Sequence, residues 1–123
     1  MKLVLKRRVA MAHQLVNKEQ TPDWNKAVYG PCTNVHGHQP LIEIEVHSQP
    51  NVDTGMIVNF TELKKLVDQF DHAFANDIVA LPTAENIACY LKKQLKARNE
   101  FDYIRVRVYE TDNAYVEDDW RLE

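Results

Sequence analysis

Apolar and polar residues alternate over residues 2–13, with Leu3, Leu5, Val9 and Met11 on odd positions and Lys2, Lys6 and Arg8 on even ones. A period of two predicts a strand with one face toward a core, interrupted on that face by Arg7. Alternation returns over 36–47, where Ile42, Ile44 and Val46 oppose Glu43, Glu45 and His47. Between them, residues 14–35 read as a polar loop with Pro22, Gly30 and Pro31 as breakers. Residues 49–55 read as a turn. The period then lengthens. Leu63, Leu66, Val67 and Phe70 predict a helix over 60–71, with Asn59 as its cap and Glu62 completing a capping box. A second helix, over 84–98, has Thr83 at its N-cap and Ile87, Ala88, Leu91 and Leu95 as its inner stripe. Ile104, Val106 and Val108 alternate with Arg105, Arg107 and Tyr109 in a third strand, and a weaker fourth strand is expected over 114–121. The order ββααββ predicts an α+β domain, a four-stranded antiparallel sheet with both helices on one face. No repeat, biased tract or composition shift marks a boundary, so residues 1–123 are read as a single domain.

Composition narrows the function classes. A chain of 123 residues can bury a core without disulfide staples. A net charge of -3 gives no electrostatic reason to expect nucleic acid or an anionic membrane as a partner. No apolar run approaches the ~18 residues of a membrane span, and the N-terminus lacks a signal-peptide core, so a cytoplasmic location is expected. Two cysteines, Cys32 and Cys89, are too few for a disulfide framework and are read as thiols.

The strand parities carry the candidate chemistry. His13 shares parity with the apolar face of the first strand, His36 and His38 with that of the second, and Glu110 with that of the third. Burying such groups singly is costly, so a shared partner is the economical explanation. If the first two strands pair antiparallel, His13 and His36 meet at one sheet edge. His36 and His38 then emerge from one face roughly 7 Å apart. Three histidines that leave a fourth position open are the pattern of a catalytic zinc site. His-Gly-His alone is a weak signal; the parity of His13 strengthens it. His47 lies on the polar face with Glu43 and Glu45 and is excluded as a ligand. Cys32, four residues before His36, is either an ordinary loop cysteine or a thiol activated by nearby zinc and imidazoles. Cys89 reads as structural, within the second helix. Asp71–His72 reads locally as a helix C-terminus with a solvated carboxylate, although a carboxylate beside a histidine can also orient it.

Five segments taken together resemble the 6-pyruvoyl-tetrahydropterin synthase and 6-carboxy-tetrahydropterin synthase family. They are Cys32-Thr33-Asn34-Val35-His36-Gly37-His38, residues 53–60, Phe70-Asp71-His72 with Asn76-Asp77, residues 82–86, and Tyr109-Glu110-Thr111. The resemblance implies the tunnelling fold, in which sheets of three subunits join and trimers stack, so a homo-oligomer (trimer or hexamer) is expected. It implies zinc (Zn2+) held by His13, His36 and His38, and a pterin ring held by Glu110 with Thr83 beside it. Cys32, Asp71 and His72 would transfer protons. The implied reaction converts 7,8-dihydroneopterin triphosphate to 6-carboxytetrahydropterin, acetaldehyde and triphosphate, on the route to deazaguanine nucleosides such as queuosine. The alternatives are the pyruvoyl-forming lyase, a related side-chain-cleaving activity, and a non-catalytic zinc-stabilised pterin-binding subunit.

The sequence departs from the family pattern at Asn59, at Gln39-Pro40, at Val9-Ala10-Met11-Ala12 and at Phe74. Pro40 removes a ladder donor unless it lies at an edge or bulge. These departures bear on substrate preference; none falls on an expected ligand or proton-transfer residue.

Overall fold

Each of the two N-terminal alternating stretches is two strands rather than one. In the structure, a computed structural model describing residues 1–123, the first stretch divides into β1 (Lys2–Arg8) and β2 (Met11–His13), and the second into β3 (His36–His38) and β4 (Leu41–His47). β1 pairs antiparallel with β4, and β2 with β3. The two breaks face each other, and the Val9 amide donates to the Pro40 carbonyl at 3.2 Å. Pro40 has no N–H to continue the ladder, so the main sheet stops there and a second, smaller sheet begins. The expected continuous strands are thereby corrected, and the second sheet is where the histidines lie.

The expected polar loop is corrected as well. It contains α1 (Pro22–Tyr29) and a 3-10 turn over Gly30–Thr33. Thr21 caps α1, its Oγ1 accepting from the Trp24 amide at 3.1 Å. Pro22 occupies the first helical position, where its missing N–H has no intrahelical partner to lose. A residue that looked like a breaker is a starter. Asn25 is the buried anchor of α1, and its amide donates to the carbonyls of Asn17 and Thr21. Gly30, at φ 57°, supplies the positive φ that turns the chain into the segment bearing Cys32.

The main sheet runs β1-β4-β6-β7, with β6 (Tyr103–Thr111) and β7 (Ala114–Arg121) completing an all-antiparallel order. One face packs under α2 (Phe60–Asp68) and α3 (Ala84–Ala97), as the apolar stripes require. Ile42, Ile44, Ile104 and Val106 meet Leu63, Val67, Ile87 and Leu91 in a single fully buried cluster. Each such side chain contributes on the order of 1.5–3 kcal/mol by leaving water.

Helix details differ from expectation in two ways. α2 ends at Asp68, three residues early. Its capping box is also incomplete: Asn59 accepts from the Thr61 amide at 2.9 Å, but the Glu62 carboxylate pairs with Arg98 instead. Past α2 the chain turns back, and Ala73–Phe74 forms β5, parallel to β2. The small sheet therefore runs β3-β2-β5. Two residues are too few for any period, so this strand is invisible in the pattern. The face of the main sheet opposite the helices is less exposed than alternation suggests. Glu43 and Glu45 are only 5% and 7% exposed, lying beneath Arg105 and Arg107 in a ladder of ion pairs. No helix is long and apolar enough to cross a membrane.

Candidate functional site

The register of the small sheet sets His13 directly opposite His36, with His38 opposite Met11 two residues on. Alternation then puts all three imidazoles on one side. Their ring centroids lie 4.5 Å (His13 to His36), 4.6 Å (His13 to His38) and 6.2 Å (His36 to His38) apart. A Cβ at Gly37 would meet the Met11 carbonyl at 3.6 Å, an ordinary contact, so space alone does not demand glycine between the two histidines.

The hydrogen bonds decide which ring atoms are available. His13 Nδ1 donates to the Pro82 carbonyl at 2.9 Å, and His36 Nδ1 donates to the Asn34 carbonyl at 2.8 Å. A carbonyl only accepts, so each Nδ1 carries a proton, and in a neutral ring so fixed Nε2 is the nitrogen left bare. Those two Nε2 atoms lie 2.9 Å apart. Two lone pairs at that distance repel unless a cation or proton stands between them. The third, His38 Nε2, is buried with no hydrogen-bond partner. Burial also holds His13 and His38 below the ordinary histidine range, which favours the neutral, ligating form. Two Nε2 atoms fixed by carbonyls behind their rings, with the His38 ring beside them, form a donor set suited to a soft-to-borderline divalent cation. The three rings do not stand in finished coordination geometry. Nitrogens about 2.05 Å from a tetrahedral zinc are roughly 3.3 Å apart, so the closest pair must part by a few tenths of an ångström.

Glu110 departs from its expected place. A register shift between Tyr109 and Thr111 interrupts the β6–β7 ladder and leaves Glu110 exposed rather than ending a buried stripe. Its charge nevertheless acts on both His13 and His38, opposing the lowering of their pKa values. Thr83 caps α3 with Oγ1 accepting from the Asn86 amide at 3.1 Å, which leaves its own proton free to donate. Thr83 follows Pro82, whose carbonyl fixes His13, so cap and ring share one short segment.

Cys32 is a free, half-buried thiol in the 3-10 turn. Its carbonyl accepts from the Leu15 amide at 2.8 Å, which fastens the turn beside the chain leaving His13. Cys89 is a free, half-buried thiol within α3. His47 lies away from the triad, its Nε2 2.9 Å from Glu45 Oε2.

Asp71 and His72 are not the solvated helix terminus that local sequence suggests. Asp71 Oδ1 accepts from the Ala10 amide at 2.9 Å, while Oδ2 lies 3.0 Å from His72 Nδ1. The Ala10 N–H first, and the imidazole next, hold the Asp71 carboxyl below the usual range. His72 sits at φ 54°, a conformation uncommon for a residue with a side chain. Its own amide donates to the Ala10 carbonyl at 2.6 Å. The imidazole projects outward, 84% exposed, at the margin of a cavity of about 650 Å³ that it shares with His38, Gln39, Ala12, Gly37 and Phe74.

A depressed carboxyl has a consequence for stability. The free energy it contributes is whole above the ordinary aspartate value near pH 3.9 and is lost as pH falls through the lower folded value. Asp71→Asn is expected to be less stable than the natural chain by a constant margin near neutrality, closing as pH falls below the ordinary aspartate value. Urea unfolding across that range measures it; a margin that persists in acid would show that the charge on Asp71 is not its source.

A family model described as 6-pyruvoyl tetrahydropterin synthase matches residues 2–119. The chain is 33% identical over 127 residues to the 6-pyruvoyl tetrahydrobiopterin synthase of Dictyostelium discoideum, with 93% of each chain covered. It is 34% identical over 100 residues to the 6-carboxy-5,6,7,8-tetrahydropterin synthase of Bacillus subtilis, covering 70% of this chain and 68% of that one. Among solved structures, the 6-pyruvoyl tetrahydropterin synthase of Caenorhabditis elegans superposes with a TM-score of 0.76 at 20% identity, over 100% of this chain and 96% of that one. That likeness shows the fold alone.

Proposed function

The chain belongs to the 6-pyruvoyl tetrahydropterin synthase family, and on that premise we propose that it is a zinc enzyme forming 6-carboxy-5,6,7,8-tetrahydropterin from 7,8-dihydroneopterin triphosphate. The observation that carries the metal is the approach of His13 Nε2 and His36 Nε2 to 2.9 Å, with His38 Nε2 buried nearby without a partner. His13, His36 and His38 would hold zinc, which when bound acidifies the oxygens and neighbouring C–H groups of a hydroxylated side chain.

The remaining chemistry falls to this chain's own groups. Glu110 would accept from the N–H and amino donors on the pyrimidine edge of the pterin, as carboxylates do from paired donors. Thr83 would donate its free hydroxyl proton beside the ring. Cys32, as thiolate, would remove a proton from the substrate side chain, and His72, held by Asp71, would deliver or accept the second. The exposed edges of β1 and β7 support assembly into a homo-oligomer, since an open sheet edge is a pairing surface.

The product branch has a second reading. The Dictyostelium relative, covering more of the chain, bears the pyruvoyl name, whereas the Bacillus relative bears the carboxy name. Mass analysis of products from zinc-loaded protein and 7,8-dihydroneopterin triphosphate separates them. A 6-carboxy product with acetaldehyde is expected. A 6-pyruvoyl product would move the chain to the second reading. No turnover by zinc-loaded protein would favour a non-catalytic pterin-binding subunit.

A further inference from the structure

Arg7 is the odd residue of its strand. It occupies the helix-facing parity of β1, between Leu5 and Val9, where every neighbour on that face is apolar. Its guanidinium forms a bidentate pair with the last residue of α2: Nε to Asp68 Oδ1 at 2.6 Å and Nη2 to Oδ2 at 2.8 Å, each side chain 36% exposed. Three residues further along each segment, Ala10 and Asp71 are tied by the 2.9 Å amide-to-carboxylate bond. The two ties have the same offset of 61 residues. They therefore act as two stitches of one seam between the β1–β2 junction and the segment leaving α2.

That segment is also held from its other side. Gln69 Nε2 donates to Gln94 Oε1 at 2.7 Å, and the Tyr90 hydroxyl donates to Gln69 Oε1 at 3.1 Å, binding the segment to α3. Phe70 is fully buried, with its ring 5.9 Å from that of Tyr90 in a T-shaped contact. From Asp68 through Asp71 every side chain is committed, and the His72 imidazole, bonded through Nδ1 to Asp71 alone, projects into solvent. A residue with positive φ persists where its surroundings over-determine it.

We infer that Arg7 is a positioning residue, which through its fork on Asp68 holds the Asp71–His72 pair in place at the cavity margin. Planarity matters here: the guanidinium fork fixes both the distance and the orientation of the α2 terminus, which a point charge does not. The role of His72 in proton transfer rests on the function proposed above; the clamp itself rests on the geometry of the seam.

The test compares Arg7→Met, Asp68→Asn and the double variant, each with zinc content and circular dichroism measured. Methionine suits the apolar face that Arg7 interrupts, and Asp68 without its partner remains accessible to water, so folding is retained. Displacement of a catalytic group by less than an ångström or so costs on the order of 10- to 100-fold in rate. Arg7→Met is expected to lower kcat within that range while KM and zinc content stay near those of the natural chain. Because the two residues act as one clamp, the double variant is expected to be no slower than the single ones. Arg7→Lys, which keeps the charge but not the fork, should recover little. Full activity in Arg7→Lys, multiplicative losses in the double variant, or a KM that rises with kcat unchanged would each overturn the inference. Hydrogen exchange of the His72 amide, bonded to Ala10, separates the clamp from the reaction. It is expected to speed up in Arg7→Met whether or not the natural chain turns over the pterin triphosphate, and unchanged protection would overturn the clamp.

Discussion

His36→Ala is expected to lower zinc affinity by more than ~100-fold and to abolish turnover while the fold persists. Groups that merely orient a ligand are worth roughly 10- to 100-fold in metal affinity, and a ligand itself must exceed that. His36 is a better target than His13 for a physical reason. His13 is 2% exposed and its Nδ1 satisfies the Pro82 carbonyl, so its removal leaves both a cavity and an orphaned acceptor. His36 is half-exposed, and its truncation frees only the Asn34 carbonyl, which water can reach. Elemental analysis of the purified variant, alongside circular dichroism, measures the effect. Full zinc content in folded His36→Ala would remove this residue from the ligand set and the convergence argument with it.

Cys32→Ala is expected to reduce turnover by roughly 10³-fold with zinc content unchanged, in the middle of the range for a general acid or base. The 3-10 turn that presents Cys32 is held by bonds that the thiol does not make. The Cys32 carbonyl accepts from Leu15 N, and the Thr33 hydroxyl donates to the Gly30 carbonyl at 2.9 Å. Alanine therefore keeps the turn and removes only the sulfur. Steady-state rates on 7,8-dihydroneopterin triphosphate, normalised to bound zinc, provide the measurement. Turnover equal to that of the natural chain would take proton transfer away from Cys32. If neither protein turns over substrate while both hold zinc, the non-catalytic reading gains.

Residue by residue, legibility followed the range of the interactions involved. His13, His36 and His38 were legible because a strand repeats every two residues, and short adjoining strands bring their matching parities to one side. Thr83 and Asn59 were legible as caps because a cap bonds within three residues of itself. Pro22 was misleading because the same ring that breaks a helix interior suits its first position, and the capping Thr21 is what distinguishes the two. The Asp71–His72 pair was misread as a helix terminus because its deciding partner, Ala10, lies 61 residues away from Asp71. Glu110 was expected to end a buried stripe, but the shift in the ladder between Tyr109 and Thr111 leaves it exposed. Such a shift depends on how β7 pairs, which no local pattern records.

By itself, then, the sequence determined the strands and helices of the main sheet, the face each buries, and the identity of the three convergent imidazoles. These follow from periodicity and from the cost of burying polar groups alone. Only the tertiary structure decided that the sheet divides at Val9–Ala10 and Gln39–Pro40, that β5 joins β2 in parallel, and that Arg7, Asp68 and Asp71 form one seam beneath His72. Those features are set by hydrogen bonds between segments far apart in the chain. Their partners are chosen by how the packed elements meet, because every buried backbone and charged group must find a partner once water is excluded.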